Sequence, residues 1–118
     1  MRTLFGGTNW INPEADLHHG LLGRQPKRGF GFYTALCNKN LGFGMSAGLD
    51  GNFESVDNDM IYDMYIFAHE IGHNFGSGHT FDKNAPGYDP VIDICADPCP
   101  AGLKNASATI MSYCNNCG

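Results

Sequence analysis

The sequence predicts an α/β fold in which short strands pack against one long helix and an irregular region follows. Three observations support this class. Short segments rich in aromatic and aliphatic residues, separated by glycine, occupy the first half of the chain. One longer segment then carries apolar residues at spacings of three and four, as an amphipathic helix does. The remainder is rich in proline and shows no periodicity.

Length and composition indicate one domain and argue against two classes of function. The chain has 118 residues, of which 42% are hydrophobic, enough for one core. Its net charge is −5 and it has no basic run, which disfavours nucleic-acid binding. No apolar stretch approaches the roughly 20 residues that a membrane helix needs. The first residues lack the apolar core of a secretory signal, so any export signal is expected to lie outside this chain.

Three strands are expected ahead of the helix, at Leu17 to Leu22, Gly29 to Leu36 and Phe43 to Ala47. The glycines of the second strand favour an edge position or a close approach by another backbone. His18 and His19 are adjacent on the first strand, so their side chains point to opposite faces and cannot readily share a metal ion. We interpret both as structural residues.

The helix is expected from about Asp57 to Phe75, with a cap from one of the polar residues at its start, Asp57, Asn58 or Asp59. Gly76 and Gly78 should end it. Its apolar face combines Ile61, Met64, Tyr65, Ala68, Ile71, Gly72 and Phe75.

The segment from Thr80 to about Ala108 is expected to be irregular, because it holds four prolines and little periodicity. Such a long irregular segment is uncommon in a small domain. It should therefore be functional or tied by cross-links.

A metal centre is predicted at the end of the helix. Residues four apart lie on one helical face, so His69 and His73 can offer two imidazoles to one ion. Gly76 lets the backbone leave the helix sharply and can return His79 as a third ligand. Three histidines with one open position describe a catalytic zinc site rather than a structural one. Five fixed positions make a chance arrangement of ordinary histidines a poor explanation.

Glu70 is the candidate catalytic residue. It lies beside His69 but points in a neighbouring direction on the helix, towards a water on the zinc rather than the metal itself. Zinc lowers the pKa of such a water to about 7. Glu70 would take the proton as this water attacks a peptide carbonyl and then pass it to the leaving amine.

The segment from His69 to His79 resembles the H-E-x-x-H-x-x-G-x-x-H signature of the metzincin metalloproteases. Thr109 to Tyr113 resembles the Met-turn of that family, which places Met111 as an apolar floor beneath the ligands. Within the metzincins the chain is most similar to the adamalysin/reprolysin branch, from about Asp16 onward. Thr80 departs from the aspartate usual after the third histidine in animal adamalysins, which leaves the subfamily open.

The resemblance implies a zincin-like fold with a mixed twisted sheet on the zinc helix and an irregular lower subdomain. It implies a zinc metalloendopeptidase acting on internal peptide bonds, with a polypeptide substrate bound along the edge strand Gly29 to Leu36. It also implies that Tyr113 can reach the zinc or stabilise the oxyanion, although a packed tyrosine is the commoner role. An extracellular or secretory-pathway location is expected separately, because the density of cysteines indicates an oxidising compartment.

The family's first strands and helix have no counterpart ahead of Asp16. We therefore expect residues 1–118 to be a single catalytic domain that is partial at its N-terminus, unless Met1 to Ala15 replaces the missing part. A truncated or non-catalytic zinc-binding module is accordingly an alternative function.

Five cysteines in so short a chain suggest disulfides and an oxidising compartment. Resemblance ties Cys37 to Cys114 or Cys117, without fixing the connectivity. The two late pairs, Cys95-x3-Cys99 and Cys114-x2-Cys117, also have a spacing close to that of a zinc ribbon. A structural ribbon for protein interaction is thus a further alternative, although disulfides are favoured.

Overall fold

The computed structural model describes residues 14–24, 26–52, 61–85, 88–101 and 109–117. The predicted α/β class is confirmed. In these ranges the chain forms three strands, one α-helix and a short 3-10 turn: β1 (His18–Leu22), β2 (Arg28–Gly31), β3 (Phe43–Ala47), α1 (Tyr62–Asn74) and the turn Cys114–Asn116. None of the helices in the described ranges is long and apolar enough to cross a membrane.

The described strands form one mixed sheet in the order β1-β3-β2. The central strand β3 pairs parallel with β1 and antiparallel with β2. In the register, Phe43 lies opposite His18 and Ala47 lies opposite Arg28. Among the described strands the second therefore lies at an edge of the sheet, one of the two placements that its glycines predicted.

The second strand is shorter than predicted, since it ends at Gly31 and not at Leu36. The backbone of Thr34 has a positive φ of 52°, which no extended strand contains. The amides of Ala35 and Leu36 then donate to the carbonyl oxygen of Asn74, at 2.9 and 3.0 Å. The chain leaves the sheet here because the C-terminal end of α1 supplies alternative hydrogen-bond acceptors.

The glycines of β2 make room for α1. A Cβ atom at Gly31 would clash with the carbonyl oxygen of Glu70, and one at Gly29 would clash with the Glu70 carboxylate. The predicted close approach of another backbone is thus confirmed at Gly31. Small residues on this strand let the helix carry its glutamate directly against the sheet edge.

The helix begins at Tyr62, so the predicted start at Asp57 is wrong; the predicted capping residues lie outside the described residues. Ile61 is the N-cap and makes no side-chain capping bond. The first turn is held instead by the buried Asp63, whose carboxylate accepts the amides of Asp50 and Gly51 at 3.3 and 2.8 Å. An acidic residue at this end also suits the helix dipole.

The two adjacent histidines of β1 are packing residues. His18 stacks on Phe43, with ring centroids 5.3 Å apart. Nε2 of His19 lies 2.9 Å from the Ser46 hydroxyl, and its ring meets Phe67 edge-on at 5.0 Å. These contacts agree with a structural role for both.

Two disulfides cross-link the irregular region, joining Cys95 to Cys114 and Cys99 to Cys117. The predicted tie from Cys37 to Cys114 or Cys117 is wrong: Cys37 is exposed and has no disulfide partner, because both candidates are paired within the later loops. The four late cysteines are not available as thiolates, so the structure does not support a zinc ribbon.

Peptide mapping should recover this pattern of cysteine pairing. Digestion without reduction is expected to yield the two cross-linked peptides and to leave Cys37 alone open to alkylation.

The disulfides close loops with sequence separations of 19 and 18. A disulfide that closes a loop of this size stabilises a fold by about 3 kcal/mol. Replacing Cys99 and Cys117 together by serine should lower the free energy of unfolding by about that amount. Cys37→Ser serves as the neutral control, and any cross-linked peptide containing Cys37 would contradict the pairing.

Candidate metal centre

Three histidines converge at the end of α1. His69 and His73 come from the helix and His79 from the loop after it. One ring nitrogen from each lies within 4.8 Å of the others. His69 is only 2% exposed, while His73 and His79 are half-buried. The structure thus brings together the three residues that the sequence proposed as ligands.

A tight reversal at Gly76 returns His79 to the helix. Gly76 has a φ of +93°, a conformation that a residue with a Cβ rarely adopts. Its amide donates to the His73 carbonyl at 2.9 Å, and the Ser77 amide donates to the Gly72 carbonyl at 3.0 Å. These two bonds form a Schellman motif, which ends the helix and satisfies its last carbonyl groups.

Backbone carbonyl groups fix the orientation of two histidine rings. Nδ1 of His69 lies 2.7 Å from the Ile110 carbonyl oxygen, and Nδ1 of His73 lies 2.8 Å from that of Ser77. A carbonyl oxygen can only accept, so each Nδ1 carries the proton and donates it. Each Nε2 is then left with a lone pair, which is the tautomer of a metal-ligating histidine.

The spacing and charge of the rings fit a zinc ion. Nε2 of His69 and Nε2 of His79 are 3.2 Å apart. Two ligands at about 2.0–2.1 Å from a tetrahedral zinc are separated by roughly 3.3 Å. Burial lowers the pKa of His69 to about 4, and burial together with the neighbouring His73 lowers the pKa of His79. Both rings are therefore neutral near pH 7, as ligands must be.

Glu70 is buried beside the cluster, with 5% of its surface exposed. Burial raises the pKa of its carboxyl group to about 7. A carboxyl group with such a pKa can accept and release a proton near neutral pH. Burial raises the pKa of Tyr113, and the charge of Glu70 raises it further. The two groups therefore share one electrostatic environment.

Met111 packs against α1 at Gly72, which lies between His69 and His73 in the sequence. Its side chain is 7% exposed, and its sulfur occupies the space that a Cβ atom at Gly72 would need. Its carbonyl oxygen accepts the amide of Thr80 at 3.1 Å. The residue therefore contacts both the helix that carries two histidines and the segment that carries the third.

Tyr113 points its hydroxyl group into the cluster. The hydroxyl oxygen lies 2.9 Å from Nε2 of His79, and the ring stacks on His69 with centroids 5.7 Å apart. The hydroxyl group therefore lies within hydrogen-bonding distance of the histidine cluster.

The cluster opens onto a cavity of about 310 Å³ that reaches the end of β2. The cavity joins residues of the sheet edge to two of the histidines and to the loop beyond them. Its lining residues are Gly31, Tyr33, His73, Gly78, His79, Asp82 and Ala85.

Sequence reasoning missed the roles of two residues that shape the site. Asn74 donates from its side-chain amide to the carbonyl oxygens of Phe32 and Phe43, at 2.9 and 3.1 Å, and so fixes the helix end to the sheet. The Tyr65 hydroxyl donates to the Ser112 carbonyl oxygen and fixes the helix to the turn after Met111. Polar side chains on the packed side of an amphipathic helix are the one local signal that could have found them.

The family model described as "Metallo-peptidase family M12B Reprolysin-like" matches residues 7–80, more than half of the chain. The match includes all three strands, the helix and the three histidines, and it ends ahead of Met111 and Tyr113. Neither a curated protein nor a solved structure matches the chain. Peptidases of this kind act on polypeptides. The chain belongs to the reprolysin-like metallopeptidases of family M12B.

Proposed function

We propose that this protein is a zinc-dependent endopeptidase that hydrolyses internal bonds of polypeptides. His69, His73 and His79 would hold the metal, and Glu70 would be the catalytic acid and base. The observation that carries the proposal is the convergence of three histidines, two of them held by carbonyl groups in the ligating tautomer.

A zinc ion held by these three imidazoles would supply Lewis acidity, which would polarise a carbonyl group and lower the pKa of water to about 7. The carboxylate of Glu70 accepts the proton of the attacking water. The same carboxyl group then donates that proton to the nitrogen of the leaving amine, so the glutamate ends in its starting state. Its buried position supports this role, because a desolvated carboxylate is a stronger base.

Tyr113 is proposed to stabilise the oxyanion that forms when the peptide carbonyl is attacked. Its hydroxyl lies at the ligand nitrogen of His79. Burial and the charge of Glu70 raise its pKa, so the phenol keeps its proton and can donate it in a hydrogen bond.

The substrate is proposed to bind as an extended peptide along β2. This strand lies at an edge of the sheet, where its outer backbone groups can pair with a further strand. Gly31 at its end, and Tyr33 just beyond, line the cavity beside His73 and His79. A peptide that extends the sheet here would run directly past the histidines.

An oxidising compartment is the proposed place of action, most simply outside the cell or in the secretory pathway. The two disulfides support this assignment, because such bonds persist where thiols are not kept reduced.

The decisive experiment is cleavage of a broad library of quenched peptides by the purified, zinc-loaded chain. We expect cleavage within the peptides that stops on addition of a chelator and returns with zinc, while magnesium fails to restore it. A folded chain that holds one zinc and cleaves nothing would contradict the proposal. It would favour the non-catalytic zinc-binding module instead.

A further inference from the structure

A network of hydrogen bonds beside His79 centres on the carboxylate of the half-buried Asp93. Oδ1 accepts the Ser112 hydroxyl at 2.9 Å and the Cys95 amide at 2.9 Å. Oδ2 accepts the hydroxyl of Thr80. One carboxylate thus gathers three donors, and hydrogen bonds to an ionised acceptor are the strong ones.

The donors come from segments that build the metal centre. Thr80 directly follows the ligand His79, and Ser112 lies between Met111 and Tyr113. Thr80 and Ser112 are each 1% exposed, so their hydroxyl groups cannot turn to solvent for another partner. Removing the carboxylate would leave the Thr80 hydroxyl with only that of Thr109, at 3.1 Å, and the Ser112 hydroxyl with only the Cys114 sulfur, at 3.3 Å. Both are weaker acceptors than a carboxylate, so the loss is unfavourable.

Further hydrogen bonds join the segment of Thr80 to the segment of Met111 and depend on the same relative position of the two. The Thr80 amide donates to the Met111 carbonyl at 3.1 Å, and the Thr80 carbonyl accepts the Ile92 amide at 2.9 Å. The hydroxyl of Thr109 lies 3.1 Å from that of Thr80 and accepts the Met111 amide at 3.0 Å. Shifting Thr80 would therefore shift the third ligand and the floor of the site together.

The disulfide between Cys95 and Cys114 spans the same region but does not replace the hydrogen bonds of Asp93. It limits the separation of the two segments, and the Cys114 sulfur offers the Ser112 hydroxyl only a weak acceptor at 3.3 Å. Asp93, Cys95 and Cys114 also have ligand atoms within 4.8 Å of one another. Because both sulfurs are in the disulfide, this group is not a second metal site.

We propose that Asp93 is a positioning residue of the metal centre. Its carboxylate holds the His79 segment in register with the turn that carries Met111 and Tyr113, and so sets where the third ligand and the tyrosine hydroxyl lie relative to α1. This role rests on the proposed function only in taking the histidines as metal ligands.

The test replaces zinc by Co²⁺, whose visible absorption reports the geometry of its ligands. Asp93→Ala should change that spectrum, weaken metal binding in a chelator competition by about tenfold or more, and lower kcat with little change in KM. Asp93→Asn keeps the shape and one acceptor oxygen, so its effects should lie between those of alanine and the native residue. Asp89→Asn, at an exposed carboxylate of the same region, is the matched control and should change nothing.

A folded Asp93→Ala chain with the native Co²⁺ spectrum and native metal affinity would overturn the proposal. If the alanine variant does not fold, the asparagine variant decides by the same two readouts. The spectrum also separates this proposal from the wider function. If the native chain binds Co²⁺ but cleaves no peptide, the peptidase proposal fails. The Co²⁺ spectra of the Asp93 variants still test the positioning role.

Discussion

Glu70→Gln is expected to lower kcat for peptide cleavage by about 10²–10⁴-fold, the range typical of a lost general base. The amide has nearly the same shape but cannot accept the proton of the attacking water. The zinc content should stay at that of the native chain, because the side chain is proposed to act on water and not to bind the metal. Stability should not fall, since the buried site no longer holds an ionisable carboxyl group.

The measurement is kcat on a quenched peptide together with zinc content by elemental analysis. Glu14→Gln is the matched control, because it makes the same chemical change at an exposed position outside the cluster. If Glu70→Gln keeps near-native kcat with a full complement of zinc, another group acts as the base. Loss of zinc along with activity would instead assign Glu70 a structural part in the metal site.

His79→Ala should have the second large effect, a loss of zinc affinity well beyond the roughly 10–100-fold that removing an outer hydrogen-bond partner brings. Only His69 and His73 would remain as ligands, and two imidazoles do not complete a zinc site. The fold should survive, because the loop is anchored by the Thr80 amide on Met111 and by the disulfides.

Competition with a chromophoric chelator measures this affinity. His18→Gln is the matched control, since it removes a histidine that stacks in the sheet away from the cluster. Equal zinc affinity in His79→Ala and the native chain would show that the loop histidine is not a ligand. The convergence of the three histidine rings would then need an explanation other than zinc binding.

The parts of the site that the sequence predicts are those encoded by local spacing. Two histidines four apart on a helix must share a face, and a glycine three residues later can reverse the chain. The helix end and the Schellman motif at Gly76 follow from these rules. The glycines of β2 predicted an edge position or a close approach by another backbone, and the described strands show both.

The remaining features depend on contacts between distant segments, which local spacing does not encode. The second strand ends early because Asn74, far along the chain, accepts amides that would otherwise extend the sheet. The disulfide pairing follows from how the late loops fold, and four cysteines alone already allow three connectivities. Local spacing gives Asp93 no role, since its donors Thr80 and Ser112 lie on other segments.

Zinc K-edge X-ray absorption on the loaded chain tests most directly whether a histidine-held zinc lies at the centre of this protein. The account predicts a first shell of nitrogen and oxygen at about 2.0–2.1 Å, including three imidazoles, and no sulfur. A sulfur shell at about 2.3 Å would contradict it. That result would assign the metal to the late cysteines and would require both disulfides to be absent from the zinc-bound protein.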